Sequence, residues 1–144
     1  MHFGLPNLDH LSQLISQATA PAFLLGAVAG FISILMTRMT GIIERIRSLN
    51  EIDENDAARM RLKSDVPRLR RRAALLNSAV HLALGSGIST TLLLVLGFVS
   101  AFLGVRHEYG AGFLFLVAVG LLGASLFRFA QEISIGLNEL DHYR

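Results

Sequence analysis

A chain of 144 residues with 52% apolar residues, a formal net charge of +2 and a mean hydropathy of +0.51 is too apolar for an ordinary soluble domain and fits one small membrane domain. Cysteine is absent, which excludes disulfides and thiolate chemistry. Ten of the thirteen Lys and Arg residues lie between Arg38 and Arg72, flanked by uncharged runs from Ala18 to Thr37 and from Ala73 to Val105. The apparent pI of 9.7 therefore reflects charge at membrane exits, which points to anionic lipid headgroups and not to nucleic acid.

In residues 1–17, Leu8, Leu11, Leu14 and Ile15 recur at helical spacing, continued by Ala18, while Asp9, Ser12, Gln13, Ser16 and Gln17 fill the opposite face. This predicts a short amphipathic helix on the outer membrane surface. The segment has neither Lys nor Arg and no continuous apolar core, so it does not read as a cleaved signal peptide. Thr19 and Pro21 supply a cap and a first-turn residue, so a new helix is expected near Pro21, with a first span over 18–39.

Met39, Ile42, Ile43, Ile46 and Leu49 continue an apolar stripe beyond that span. Glu51, Asp53, Glu54 and Asp56 predict a solvated turn, after which Leu62, Val66, Leu69, Ala73 and Leu76 repeat at heptad-like intervals. The two stripes predict an antiparallel helical hairpin over 40–81. Pro67 predicts a break between residues 63 and 66, with Ser64 or Asp65 capping the next helix. The run from Ala73 to Val105 would be about 50 Å of helix, more than a bilayer needs, so the second span is placed at 82–105.

Arg106, His107, Glu108, Tyr109 and Gly110 form a short link, and a third span follows over 109–127. Leu126, Phe129, Ala130, Ile133, Leu137 and Leu140 predict a C-terminal helix over 128–144 that docks on the hairpin. Positive charge is retained in the cytoplasm, which orients the basic stretch inward, the N-terminus outside and the C-terminus inside. The expectation is an all-α integral membrane protein: three spanning helices extended into a cytoplasmic helical bundle, preceded by a short N-terminal interfacial helix.

Ala22, Gly26 and Gly30 form a small-residue face in the first span, and Gly97 with Ala101 and Gly120 with Ala124 form similar pairs. Such faces let helices approach closely where the hydrophobic effect gives no drive, either within one chain or between chains. Gly85, Ser86 and Gly87, followed by Ser89, Thr90 and Thr91, predict a bent helix or a hydrated lining, with Ser86, Ser89 and Thr90 as the candidate pore-lining residues. Arg38, Arg45, Arg47, Arg68, Arg70, Arg71 and Arg72 are expected to orient the chain and hold lipid headgroups.

Asn77 and His81 share a helical face and are expected to make a polar contact at the bundle interface. His10, His107, Asp9 and Glu108 are further titratable groups for the outer surface. Arg128 and Glu132 share a face and are expected to pair with each other or with the basic hairpin, contributing little. No metal-ligand spacing, phosphate loop, nucleophile elbow or paired carboxylate site occurs, so neither an enzyme nor a cofactor is expected.

The combination of Ile15 to Ala18, Ala20-Pro21-Ala22-Phe23-Leu24-Leu25, Arg38, Ile43, Arg45, Arg47, Leu69-Arg70-Arg71-Arg72 and Leu75 resembles the bacterial membrane protein family known as domain of unknown function 2721. The resemblance implies a small multi-pass protein of the bacterial inner membrane and supplies no catalytic residue. Two functional expectations follow from the residues. One is a homo-oligomeric structural or transport-related assembly, with ion conduction through several chains. The other is an accessory or scaffold subunit that docks on another membrane complex through its basic cytoplasmic end.

Overall fold

The computed structural model describes residues 5–52, 57–104 and 108–142, with side chains described for all of these except 5–10, 14, 57–59, 108 and 139–142. The described chain forms helices α1 (Leu5–Asn50), α2 (Ala57–Lys63), α3 (Val66–Leu103) and α4 (Glu108–His142). Three of them are long and apolar enough to cross a membrane. At 1.5 Å per residue, α1, α3 and α4 extend about 69, 57 and 52 Å, against about 30 Å of hydrocarbon, so each has length to spare beyond a span.

Helix α1 is continuous through Pro21, so the expected new helix at that position does not occur. Thr19 does not cap: its hydroxyl donates to the Ile15 carbonyl within the same helix, 2.9 Å away. Proline is favoured in a first turn but is also accommodated inside apolar helices when a neighbouring helix covers it. Pro21 is buried beside Leu93, Leu94 and Gly97 of α3.

The break at residues 64–65 lies where Pro67 predicts it. Ser64 and Asp65 form the turn, Pro67 stands in the first turn of α3, and the Leu69 N–H donates to the Asp65 carbonyl. Asp65 occupies the cap position without a side-chain capping bond, while the Ser64 hydroxyl turns back to the Arg61 carbonyl at 2.6 Å. At its far end α3 stops on Gly104, whose φ of 67° places it in the left-handed region that glycine adopts without a Cβ penalty.

Helix α3 is the middle element, packed along both α1 and α4, whose backbones seldom approach each other and which meet through the side chains of Phe31, Arg38, Phe129 and Glu132. The seams follow heptads. Among the described side chains of α1, the buried ones are Pro21, Val28, Leu35, Ile42 and Leu49. On α4 they are Ala118, Ser125 and Glu132. A strict seven-residue repeat on straight helices favours a left-handed supercoil with shallow crossing angles.

The expected hairpin core is present at the charged end. Ile42 and Leu49 of α1 are buried against Val66, Leu69 and Leu76 of α3, with Met39, Ile46, Ile52, Leu62 and Ala73 packed around them. Ile43, assigned to the same stripe, instead faces outward. The acidic turn falls largely in residues 53–56, outside the described residues.

The α4 stripe is corrected in part: Phe129 packs half-buried against the core and Ile133 is half-buried, but two of its leucines are not. Leu126 and Leu137, expected to dock inward, are 48% and 57% exposed, while the buried line consists of alanine, serine and glutamate. Leu140 lies outside the described side chains. Where a helix faces lipid, apolar side chains gain nothing by turning inward, and small residues make the closer seam.

A buried carboxylate joining three helices

The contacts between α3 and α4 form regularly spaced antiparallel rungs. Ser86 of α3 donates to the Ala118 carbonyl of α4, and Ser125 of α4 donates to the Ala79 carbonyl of α3, both at 2.6 Å. All four residues are buried. Each serine stands opposite an alanine, whose small side chain leaves the carbonyl within reach of the hydroxyl.

The third rung is ionic. Arg72 Nε donates to Glu132 Oε1 at 2.9 Å, with its Nη2 2.8 Å from the same oxygen. The sequence separations across the three rungs are 32, 46 and 60 residues, equal steps of one heptad on each helix. Arg38 reaches the carboxylate from α1: its Nε donates to Oε2 and its Nη2 to Oε1, both at 3.0 Å. Glu132 is fully buried, whereas the Arg38 and Arg72 side chains remain 37% and 15% exposed.

The surroundings fit the two guanidiniums. Arg38 Cζ lies 5.4 Å from the centroid of the Phe129 ring, within cation–π range, and Phe31 meets that ring edge-on at 5.5 Å. Gly136 leaves room for Arg72: an added Cβ would lie 3.2 Å from Nη2 and 3.3 Å from Cζ. One carboxylate thus joins α1, α3 and α4. A buried carboxylate is tolerated when charged donors replace its water, and here four donor contacts do so.

This site revises several sequence expectations. Glu132 pairs with the basic segments and not with Arg128, which is exposed, and the pairing is buried. Arg38 and Arg72, assigned to headgroups, point to Glu132. Of the other basic residues named, Arg45, Arg47, Arg70 and Arg71 are exposed and Arg68 is half-buried.

Ser86 and Thr90 are fully buried between helices, so neither lines an open path within the chain. The Thr90 hydroxyl donates to the Ser86 carbonyl at 2.8 Å, and Ser89 is half-buried. Gly85 and Gly87 bring neighbours close to α3: a Cβ on Gly85 would lie 3.2 Å from Leu121 of α4, and one on Gly87 3.5 Å from Val28 of α1. The Gly-Ser-Gly run is therefore a packing junction in a continuous helix.

The small-residue faces point elsewhere. Ala22, Gly26 and Gly30 are exposed on α1, as are Gly120 and Ala124 on α4, while Gly97 and Ala101 are half-buried on α3. A Cβ on Gly26, Gly30, Gly97 or Gly120 would meet nothing within 4 Å. The exposed faces on α1 and α4 do not serve the close helix contacts within the chain.

Asn77 and His81 are both exposed, and their contact is local: the His81 Nδ1–H donates to the Asn77 backbone carbonyl at 2.8 Å. The side chains of Asp9, His10, His107 and Glu108 lie outside those described. Among the described residues no group of three His, Asp or Glu side chains is placed to hold a metal ion.

Sequence reasoning gave Glu132 two alternative partners and underrated it. The available signal was its isolation, since it is the sole acidic residue between Glu108 and Glu139. A lone carboxylate in an apolar helix faces the bundle and finds a cation. Its heptad spacing from Ser125 and Ala118 marked the same inward face.

Comparison with known proteins gives no match among curated proteins or solved structures. Residues 18–142 match the family described as Protein of unknown function (DUF2721). The chain belongs to that family.

Proposed function

We propose that this chain is a non-catalytic, multi-pass protein of the bacterial inner membrane that assembles with copies of itself into a structural or transport-related oligomer. The observation that carries this reading is the outward face of Ala22, Gly26 and Gly30, which is left open on α1 while the chain's internal seams are made by other residues. A small-residue face on an apolar helix favours close helix–helix contact in lipid. An ion-conducting form has less support, because Ser86 and Thr90 are consumed by packing and Ser89 alone of the three retains partial exposure.

In the proposed orientation, the end of the bundle carrying Arg45, Arg47, Arg70 and Arg71 is cytoplasmic, with the N-terminus outside and the C-terminus inside. The exposed arginines meet anionic headgroups there. A reporter fused after Arg144 is expected to be active only in its cytoplasmic form, and the opposite result reverses the orientation.

Native mass spectrometry of the protein released from lipid nanodiscs tests assembly. A single closed oligomer that falls to monomer in Gly26→Leu with Gly30→Leu supports the reading. A wild-type monomer overturns it and favours an accessory subunit whose charged end docks on another complex.

A further inference from the structure

On its outer side, the ion cluster borders a groove between α1 and α3. Among the described residues the groove is lined by Arg38, Gly41, Ile42, Arg45, Leu69 and Arg72. Three arginines from two helices therefore converge over an apolar floor of Ile42 and Leu69. Glu132 fixes the positions of two of them from behind.

Arg38 bonds Glu132 through Nε and Nη2, which leaves both Nη1 hydrogens for another acceptor on its exposed side. Arg45 stands exposed at the rim, one helical turn from Gly41. A Cβ on Gly41 would meet nothing within 4 Å, so this part of the rim is open. The groove is shallow and open to its surroundings, offering about 300 Å³, more than a bare phosphate needs.

We propose that this groove binds a phosphate group, with Arg38 and Arg45 as its cationic donors and the charge of Arg72, held on Glu132, adding to the field. The planar Arg38 guanidinium, already held by Glu132, suits oxygens of a tetrahedral anion and loses little freedom on binding it, and exposed Arg45 can close on the same anion from the rim. The carbon portion of a phosphorylated ligand rests on Ile42 and Leu69. Phosphate of this kind has two sources, the headgroup of an anionic phospholipid and a soluble phosphorylated molecule. The site does not depend on self-assembly, since every residue in it belongs to one chain.

The test uses the full chain and two probes, phosphatidylglycerol and inorganic pyrophosphate, with bound molecules counted by native mass spectrometry. Arg45→Gln removes one donor and leaves the Glu132 cluster intact, while Gly41→Leu fills the open rim. Arg45→Gln is expected to reduce retention of the bound probe about tenfold, the effect of losing one charge-assisted hydrogen bond, and Gly41→Leu to reduce it by steric exclusion. Arg70→Gln, exposed and outside the groove, is expected to leave retention unchanged.

Lipid retained against excess pyrophosphate assigns the groove to a headgroup. Saturable pyrophosphate binding that displaces the lipid assigns it to a soluble phosphate. Absence of binding by either probe, no loss in Arg45→Gln and Gly41→Leu, or an equal loss in Arg70→Gln overturns the site. Subunit number measured in the same spectra separates this outcome from that of the assembly reading.

Discussion

The two ends of the helical array are held together by different means. At the charged end, Ile42 and Leu49 pack against Val66, Leu69 and Leu76, and two arginines enclose Glu132. Through the uncharged part, the α3–α4 seam is made of Ala79, Ala83, Ser86, Ala118 and Ser125, while large apolar residues such as Ile88, Phe113 and Leu116 face outward. Water rewards burial of leucine, whereas lipid does not. The small buried residues mark the face that α3 turns to α4, while Val28, Leu35 and Leu93 keep large side chains buried elsewhere in the uncharged part.

The sharpest way to break this contrast is Glu132→Ala, which leaves two guanidiniums facing a cavity. It is expected to destabilise the chain by about 3–5 kcal/mol, read from unfolding in detergent followed by circular dichroism. A loss no larger than that of a serine variant would mean that both ends are held alike. Replacing Arg38, Arg72 and Glu132 together by methionine is expected to restore most of the loss, because no buried charge then lacks a partner.

The small-residue seam is probed by size. Ala118→Leu is expected to destabilise by about 1–3 kcal/mol through overpacking against Ser86. The same change at exposed Ala124 is expected to alter unfolding by less than about 0.5 kcal/mol. Equal effects at the two positions would remove the distinction between seam and outer face.

Smaller effects follow from the hydroxyl bonds. Ser86→Ala and Ser125→Ala are each expected to lower stability by about 0.6 kcal/mol, the usual scale for interhelical hydrogen bonds in a membrane protein. Gly30→Ala is expected to cause no loss of intrachain stability, since its Cβ enters open space. A marked destabilisation there would place this face inside the fold of a single chain.

The spans and the break before Pro67 were legible because both are written in composition: uncharged runs for the first, a missing N–H for the second. The charged-end core was legible for the same reason that soluble helices are, since Ile42, Leu49, Leu69 and Leu76 repeat on inward faces. The inward face of α4 was not. There, apolar periodicity selected Leu126 and Leu137, which point outward; for Leu126, within the third span, the reason is that in lipid the most hydrophobic face is not the most buried one. Pro21 misled differently, since its preference for a first turn is weaker than the support it receives from α3 inside a continuous helix.

The equal spacing of the α3–α4 rungs has a consequence for how the two helices find their alignment. Two seams built on the same repeat can slide by one heptad and keep part of their small-residue matching, Ser125 meeting Ser86 in one direction and Ala118 meeting Ala79 in the other. Glu132 removes that ambiguity. A one-heptad slip would set it opposite Ala79 in one direction and Asp65 in the other, a buried carboxylate against a methyl group or against another acid. Glu132 thus works as a key cut for a single position of the lock, and the serine rungs fall into place once it is seated.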